Sequence, residues 1–84
     1  MEYYVKSVVP IIESNYDKFT PVEKQIANFF IHNQKKMDFS IKHISELLFT
    51  SKATLVRFAQ KCGYHGYKEF IYQYEETLIE KPEK

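Results

Sequence analysis

"SIKHISELLFTSKATLVRFAQKC", Ser40 to Cys62, contains two short apolar-periodic segments separated by a break of a few residues. In the first, Ser40 is placed to cap a helix that turns Ile41, Ile44, Leu47 and Leu48 inward. In the second, Ser51 is the cap, and Leu55, Phe58, Ala59 and Cys62 share one face of the helical wheel. Gly63 ends that helix, since glycine enters the left-handed conformation after a helix end without steric cost. Ser45 is small where the first helix must come close to the second. Two short helices joined by so brief a turn read as a helix-turn-helix.

The face of the second helix opposite its apolar side is centred on Ala53, Arg57 and Gln60 and flanked by Lys52, Val56 and Lys61. No acidic residue occurs between Thr50 and Tyr67, although the whole chain has a net charge of only +1. From Lys35 to Lys68, seven Lys and Arg stand against Asp38 and Glu46, while the rest of the chain carries five Lys against nine acids. A solvated face normally mixes Glu with Lys. This one combines small side chains with a guanidinium fork, which suits the major groove: Arg pairs with guanine and small apolar groups meet thymine methyls. Ser51 and Thr54, beside the positive end of the helix, are placed to hold a phosphate. The competing reading is a protein-interaction module, which should expose an aliphatic or aromatic patch instead.

Outward from this pair the chain continues to read as helices. "TPVE", Thr20 to Glu23, is a capping box with Pro21 at the first helical position, and Val22, Ile26, Phe29 and Phe30 form the stripe of a helix ending near Gln34. Upstream, "VVPIIESNYDKF" reads as one further helix that tolerates Pro10 only in its first turn. Downstream, Gly66 opens a helix with Tyr67, Phe70, Ile71, Tyr74 and Leu78 on one side. The expected fold is all-α, a compact bundle of about five helices containing the helix-turn-helix over residues 1–80, with 81–84 a tail or the start of a linker.

Composition excludes several classes of function. The single Cys62 rules out an intramolecular disulfide and a Cys-based zinc site, and its place at a helix C-terminus favours packing over redox chemistry. His32, His43 and His65 are scattered without a metal-ligand spacing, and no nucleophile–base pair or phosphate loop appears. Neither an enzyme nor a cofactor or metal site is expected. No run reaches transmembrane length and the N-terminus lacks a signal-peptide layout, so the expected compartment is the cytoplasm, with no membrane partner.

The residues also carry a specific resemblance. Ser51, Ala53, Thr54, Arg57 and Phe58, followed by Gly63, Tyr64, Gly66, Tyr67 and Phe70, resemble the N-terminal domain of the RpiR family of bacterial transcriptional regulators, over roughly Ile11 to Leu78. The resemblance implies that Ser40–Phe49 supports and Ser51–Cys62 recognises double-stranded DNA. The Ser-x-x-Thr-x-x-Arg layout is also similar to LacI-type recognition helices, which carries base reading onto Lys52, Ala53 and Arg57. With the open face added, the expected base contacts are Lys52, Ala53, Val56, Arg57 and Gln60, and the expected phosphate contacts Ser40, Lys42, Ser51, Thr54 and Lys61. A homodimer is expected, joined through the last helix and an N-terminal segment bearing Tyr3, Tyr4, Val5, Val8 and Val9. Relatives of this kind sense a phosphorylated sugar through a C-terminal domain, so a phosphosugar effector is expected only through a domain outside this chain. One departure stands out. Phe49 occupies the turn position where many helix-turn-helices carry a glycine with positive φ, a costly choice unless the turn differs.

Overall fold

A computed structural model describes residues 8–33 and 35–80. It contains α1 (Val8–Ser14), a 3-10 turn (Tyr16–Lys18), α2 (Pro21–His32), α3 (Ile41–Leu47), α4 (Lys52–Lys61) and α5 (Tyr67–Glu80), with no strand among the described residues. The all-α expectation holds. Tyr3, Tyr4, Val5, Gln34 and the 81–84 tail lie outside the described residues.

The expected first helix is in fact two pieces. The Ser14 hydroxyl and the Asn15 amide both donate to the Ile11 carbonyl, at 3.0 and 2.8 Å, and so compete with the backbone bonds that would carry α1 onward. Pro10 lies within the first turn of α1, where it costs no hydrogen bond. Val8 and Ile12 are buried in the core of their own chain, so Val8 is not available to a dimer surface as the sequence suggested.

The α2 capping box forms as expected. Glu23 N–H donates to Thr20 Oγ1 at 3.2 Å, and Thr20 N–H donates to Glu23 Oε1 at 2.9 Å. The buried stripe, however, is Glu23, Ile26, Ala27 and Phe30, while Val22 is 47% exposed and Phe29 only partly buried. The core-facing position of the first turn belongs to the carboxylate. α2 ends at His32, with Asn33 N–H bonded back to the Phe29 carbonyl.

The centre of the fold is aromatic. The Phe30 ring meets Phe70 and Tyr74 edge-on, each at 5.0 Å between centroids, and stacks near Phe58 at 6.1 Å. Such pairs are worth about 0.5–1.5 kcal/mol each beyond the area they bury. The two buried tyrosines of α5 keep their hydroxyls satisfied. Tyr67 donates to the Phe39 carbonyl at 2.8 Å and Tyr74 to the Phe30 carbonyl at 2.9 Å. Burial raises both phenol pKa values above the usual range, so both remain neutral donors. Through these bonds α5 fixes the end of α2 and the segment leading into α3.

Candidate nucleic-acid interface

α3 and α4 carry the site. Ser40 caps α3, its Oγ accepting from His43 N–H at 3.2 Å. Ile44 and Ser45 are buried, Ile41 and Leu48 partly so, and Leu47, expected inward, is 43% exposed. The inward stripe therefore runs through Ile41, Ile44, Ser45 and Leu48. The Ser45 hydroxyl donates to the Lys42 carbonyl at 2.9 Å, which satisfies it where a larger residue would hold α4 away.

The turn between the two helices keeps its usual geometry. Phe49 has φ 55°, Phe49 N–H reaches the Glu46 carbonyl at 3.3 Å, and Thr50 N–H reaches the Ser45 carbonyl at 2.9 Å. These two bonds make a Schellman end with Phe49 in the left-handed position, at a cost of about 1 kcal/mol for a residue with a Cβ. α4 ends in the same way with the residue suited to it. Gly63 has φ 101°, its N–H meets the Gln60 carbonyl at 2.9 Å, and Tyr64 N–H meets the Ala59 carbonyl at 3.2 Å.

Ser51 caps α4, and from it a chain of polar contacts runs along the helix. Ser51 Oγ accepts from Thr54 N–H at 3.0 Å and stands 2.8 Å from Thr54 Oγ1, which in turn accepts from Arg57 Nη2 at 3.4 Å. If the Ser51 hydroxyl donates within the pair, the Thr54 proton is left to point outward at an acceptor. Lys52, Ala53, Arg57 and Gln60 are exposed beside this chain, while Leu55, Phe58 and Ala59 are buried on the other side. Val56 is half-buried at the edge of the open face. There it lines, with Ile41, Tyr67 and Ile71, a largely apolar groove of about 610 Å³ between α5 and the segment that leads into α3.

Not every residue singled out by the sequence shares this surface. Lys61 is turned towards α2. Its Nζ sits 2.7 Å from Glu23 Oε1 and donates to the Lys18 carbonyl at 3.3 Å. Burial alone would raise the Glu23 pKa, but the Lys61 ammonium and the Thr20 N–H together hold it below the ordinary value. Ser40 N–H is already bonded to Asp38 Oδ1 at 2.9 Å, so a negative charge stands at the start of α3. Lys42 makes only a loose, exposed contact with Glu46 at 3.8 Å, a pair of small energetic weight. The Gln60 amide donates to the His65 carbonyl at 3.1 Å, which ties it to the loop before α5.

Among the described residues no group of three or more His, Cys, Asp or Glu could hold a metal ion, and no helix is long and apolar enough to cross a membrane. Burial pushes the Cys62 thiol up to about 12, helped by the charge of Glu23. The sequence had pointed to neither the Glu23–Lys61 pair nor the exposure of Phe49. The first needs a partner 38 residues away. The second is hinted at only by a phenylalanine at a glycine position.

Two short helices packed through a small residue, a tight left-handed turn, and a second helix with an acid-free open face define a helix-turn-helix domain. The helix-turn-helix domain of the rpiR family matches residues 6–81. The chain belongs to that family and is a DNA-binding helix-turn-helix domain. Among curated proteins none is detectably similar in sequence.

Proposed function

We propose that this domain is the sequence-reading part of a bacterial transcriptional regulator acting in the cytoplasm, with α4 in the major groove of double-stranded DNA. The observation that carries the reading is the Ser51–Thr54–Arg57 contact chain on an acid-free helix face. It aims a guanidinium fork outward beside two hydroxyls at a helix N-terminus. Arg57 is the principal base contact, Lys52 and Ala53 its neighbours at the entering end, and Gln60 and Val56 bound the reading surface. Ser51 and Thr54 hold phosphate, with Lys42 in support. Ser40 and Lys61, already engaged with Asp38 and Glu23, are left out of the phosphate set.

One such helix spans few base pairs, so two copies on half-sites about 34 Å apart give the needed specificity. Membership of the family supports a further part of this reading, control of sugar-phosphate genes in response to a phosphosugar effector. Selection from a random duplex library, followed by titration of wild type and Arg57→Ala on the winning duplex and a scrambled one, tests the reading. An enriched site whose preference depends on Arg57 supports it, and no enrichment refutes it. One observation favours an interaction module instead, the exposed Leu47 and Phe49. Under that reading Arg57→Ala has no effect on DNA.

A further inference from the structure

Two irregularities meet in Phe49. It has a left-handed φ of 55° without being glycine, and its ring is 94% exposed. Phe19, Phe30, Phe39, Phe58 and Phe70 are buried and Phe29 packs against them, so Phe49 is the exception among the phenylalanines. A ring open to water adds nothing to the packing of this fold, and its Cβ makes the turn less favourable than glycine would. A residue that breaks a local rule twice without benefit to folding is a candidate for function.

Its position says which function. Phe49 lies in the turn two residues before Ser51, at the end of α4 that presents Lys52 and Ala53, and no acidic residue follows until Glu69. In sequence the ring is followed by the hydroxyl residues Thr50 and Ser51 and the cation Lys52, with Glu46 three residues before it on the α3 side. The edge of a DNA groove offers the complement, the apolar C–H face of a deoxyribose between two phosphates. Resting on the DNA-binding reading above, we propose that Phe49 packs against a deoxyribose next to the phosphate held by Ser51 and Thr54, and so fixes how α4 enters the groove. Because every nucleotide presents that sugar face, the contact adds affinity without sequence preference.

The test is Phe49→Gly in the full chain, with Phe49→Tyr as the variant that keeps the ring. Melting is measured beside titrations on a selected and a scrambled duplex at several salt concentrations. Phe49→Gly should melt a few degrees higher, because the strained φ is relieved. It should also bind both duplexes roughly tenfold more weakly, with the salt slope unchanged since no charge is lost. Phe49→Tyr should bind like wild type. Higher melting with unchanged affinity overturns the proposal, as does a loss confined to the selected duplex, which would mean base reading. Unchanged DNA affinity with weakened self-association in sedimentation assigns the ring to a protein contact and overturns it too. Arg57→Ala separates the two levels. If it loses sequence preference while Phe49→Gly binds normally, only the Phe49 inference falls. If wild type binds neither duplex, the DNA-binding reading falls with it.

Discussion

Thr54 Oγ1 stands between the Ser51 hydroxyl at 2.8 Å and Arg57 Nη2 at 3.4 Å, so the residue proposed to hold a phosphate also steadies the residue proposed to read a base. Removing Arg57 should cost roughly 1–3 kcal/mol on the preferred duplex and flatten the preference over a scrambled one. Thr54→Ala should weaken both duplexes and also take a small share of the preference, because the guanidinium loses a partner. A double-mutant cycle at positions 54 and 57 on the preferred duplex should give a coupling of about 0.5 kcal/mol. Strict additivity would show that the two side chains act separately.

Glu23 is 3% exposed and ties the start of α2 to the end of α4, so its charge matters to folding. Its folded pKa lies below the ordinary value, and the unfolded chain therefore binds its proton more readily. The stabilisation is full above the unfolded pKa and is lost as pH falls through the lowered folded one. Urea unfolding between pH 7 and pH 3 should show a flatter acid limb for Glu23→Gln than for wild type. Asp38 and Glu69, also lowered by hydrogen bonds from Ser40 and His65, contribute to the slope that remains. An identical limb in the variant would mean that the pair contributes nothing across this range.

The features legible in the sequence are those set by neighbours a few residues apart. The capping box at Thr20, the serine caps of α3 and α4, and the Gly63 end each need only a local hydrogen-bond donor, acceptor or φ. The features that were not legible depend on distant partners. Val22 and Glu23 compete for one inward position, and periodicity favours the valine. Lys61, from the far end of α4, decides for the glutamate. The same bond withdraws Lys61 from the open face, where a helical wheel had placed it. Leu47 points outward because Ile44, Ser45 and Leu48 already fill the side of α3 nearest α4. At the candidate site, the placement of Arg57 and Thr54 on one helix was legible from their spacing, but the hydrogen bond between them required coordinates.

Cys62 offers a probe of the fold that leaves the open face untouched. Its thiol is buried, free and pushed up to about 12, so almost no thiolate exists at neutral pH and little of the residue is open to reagents. Alkylation of the native domain at pH 7.5 should be slower than that of the urea-unfolded chain by several orders of magnitude and should follow the opening equilibrium. Labelling at close to the unfolded rate would show that the C-terminal end of α4 is not packed as described.

Lys52 and Lys61 sit at opposite ends of α4, and their surroundings predict opposite behaviour on DNA. Lys52 is exposed at the first helical position, beside Ser51 and Thr54, where a phosphate would lie. Each phosphate neutralised by a cation contributes about 0.9 to the log–log slope of affinity against salt. Lys52→Ala should lower the magnitude of the slope by about that amount if its ammonium meets the backbone. If it reads a base edge instead, the variant should lose sequence preference. Lys61 holds the Glu23 carboxylate at 2.7 Å, and leaving that bond for a phosphate would strand a buried charge. Lys61→Ala should therefore keep the wild-type slope while losing about 1–3 kcal/mol of folding stability, the cost of a buried acceptor without its partner. Titrations at several salt concentrations, each held well below the melting temperature of the variant, separate these outcomes. A slope reduced by Lys61→Ala and unchanged by Lys52→Ala would place the DNA backbone along the α2 side of α4.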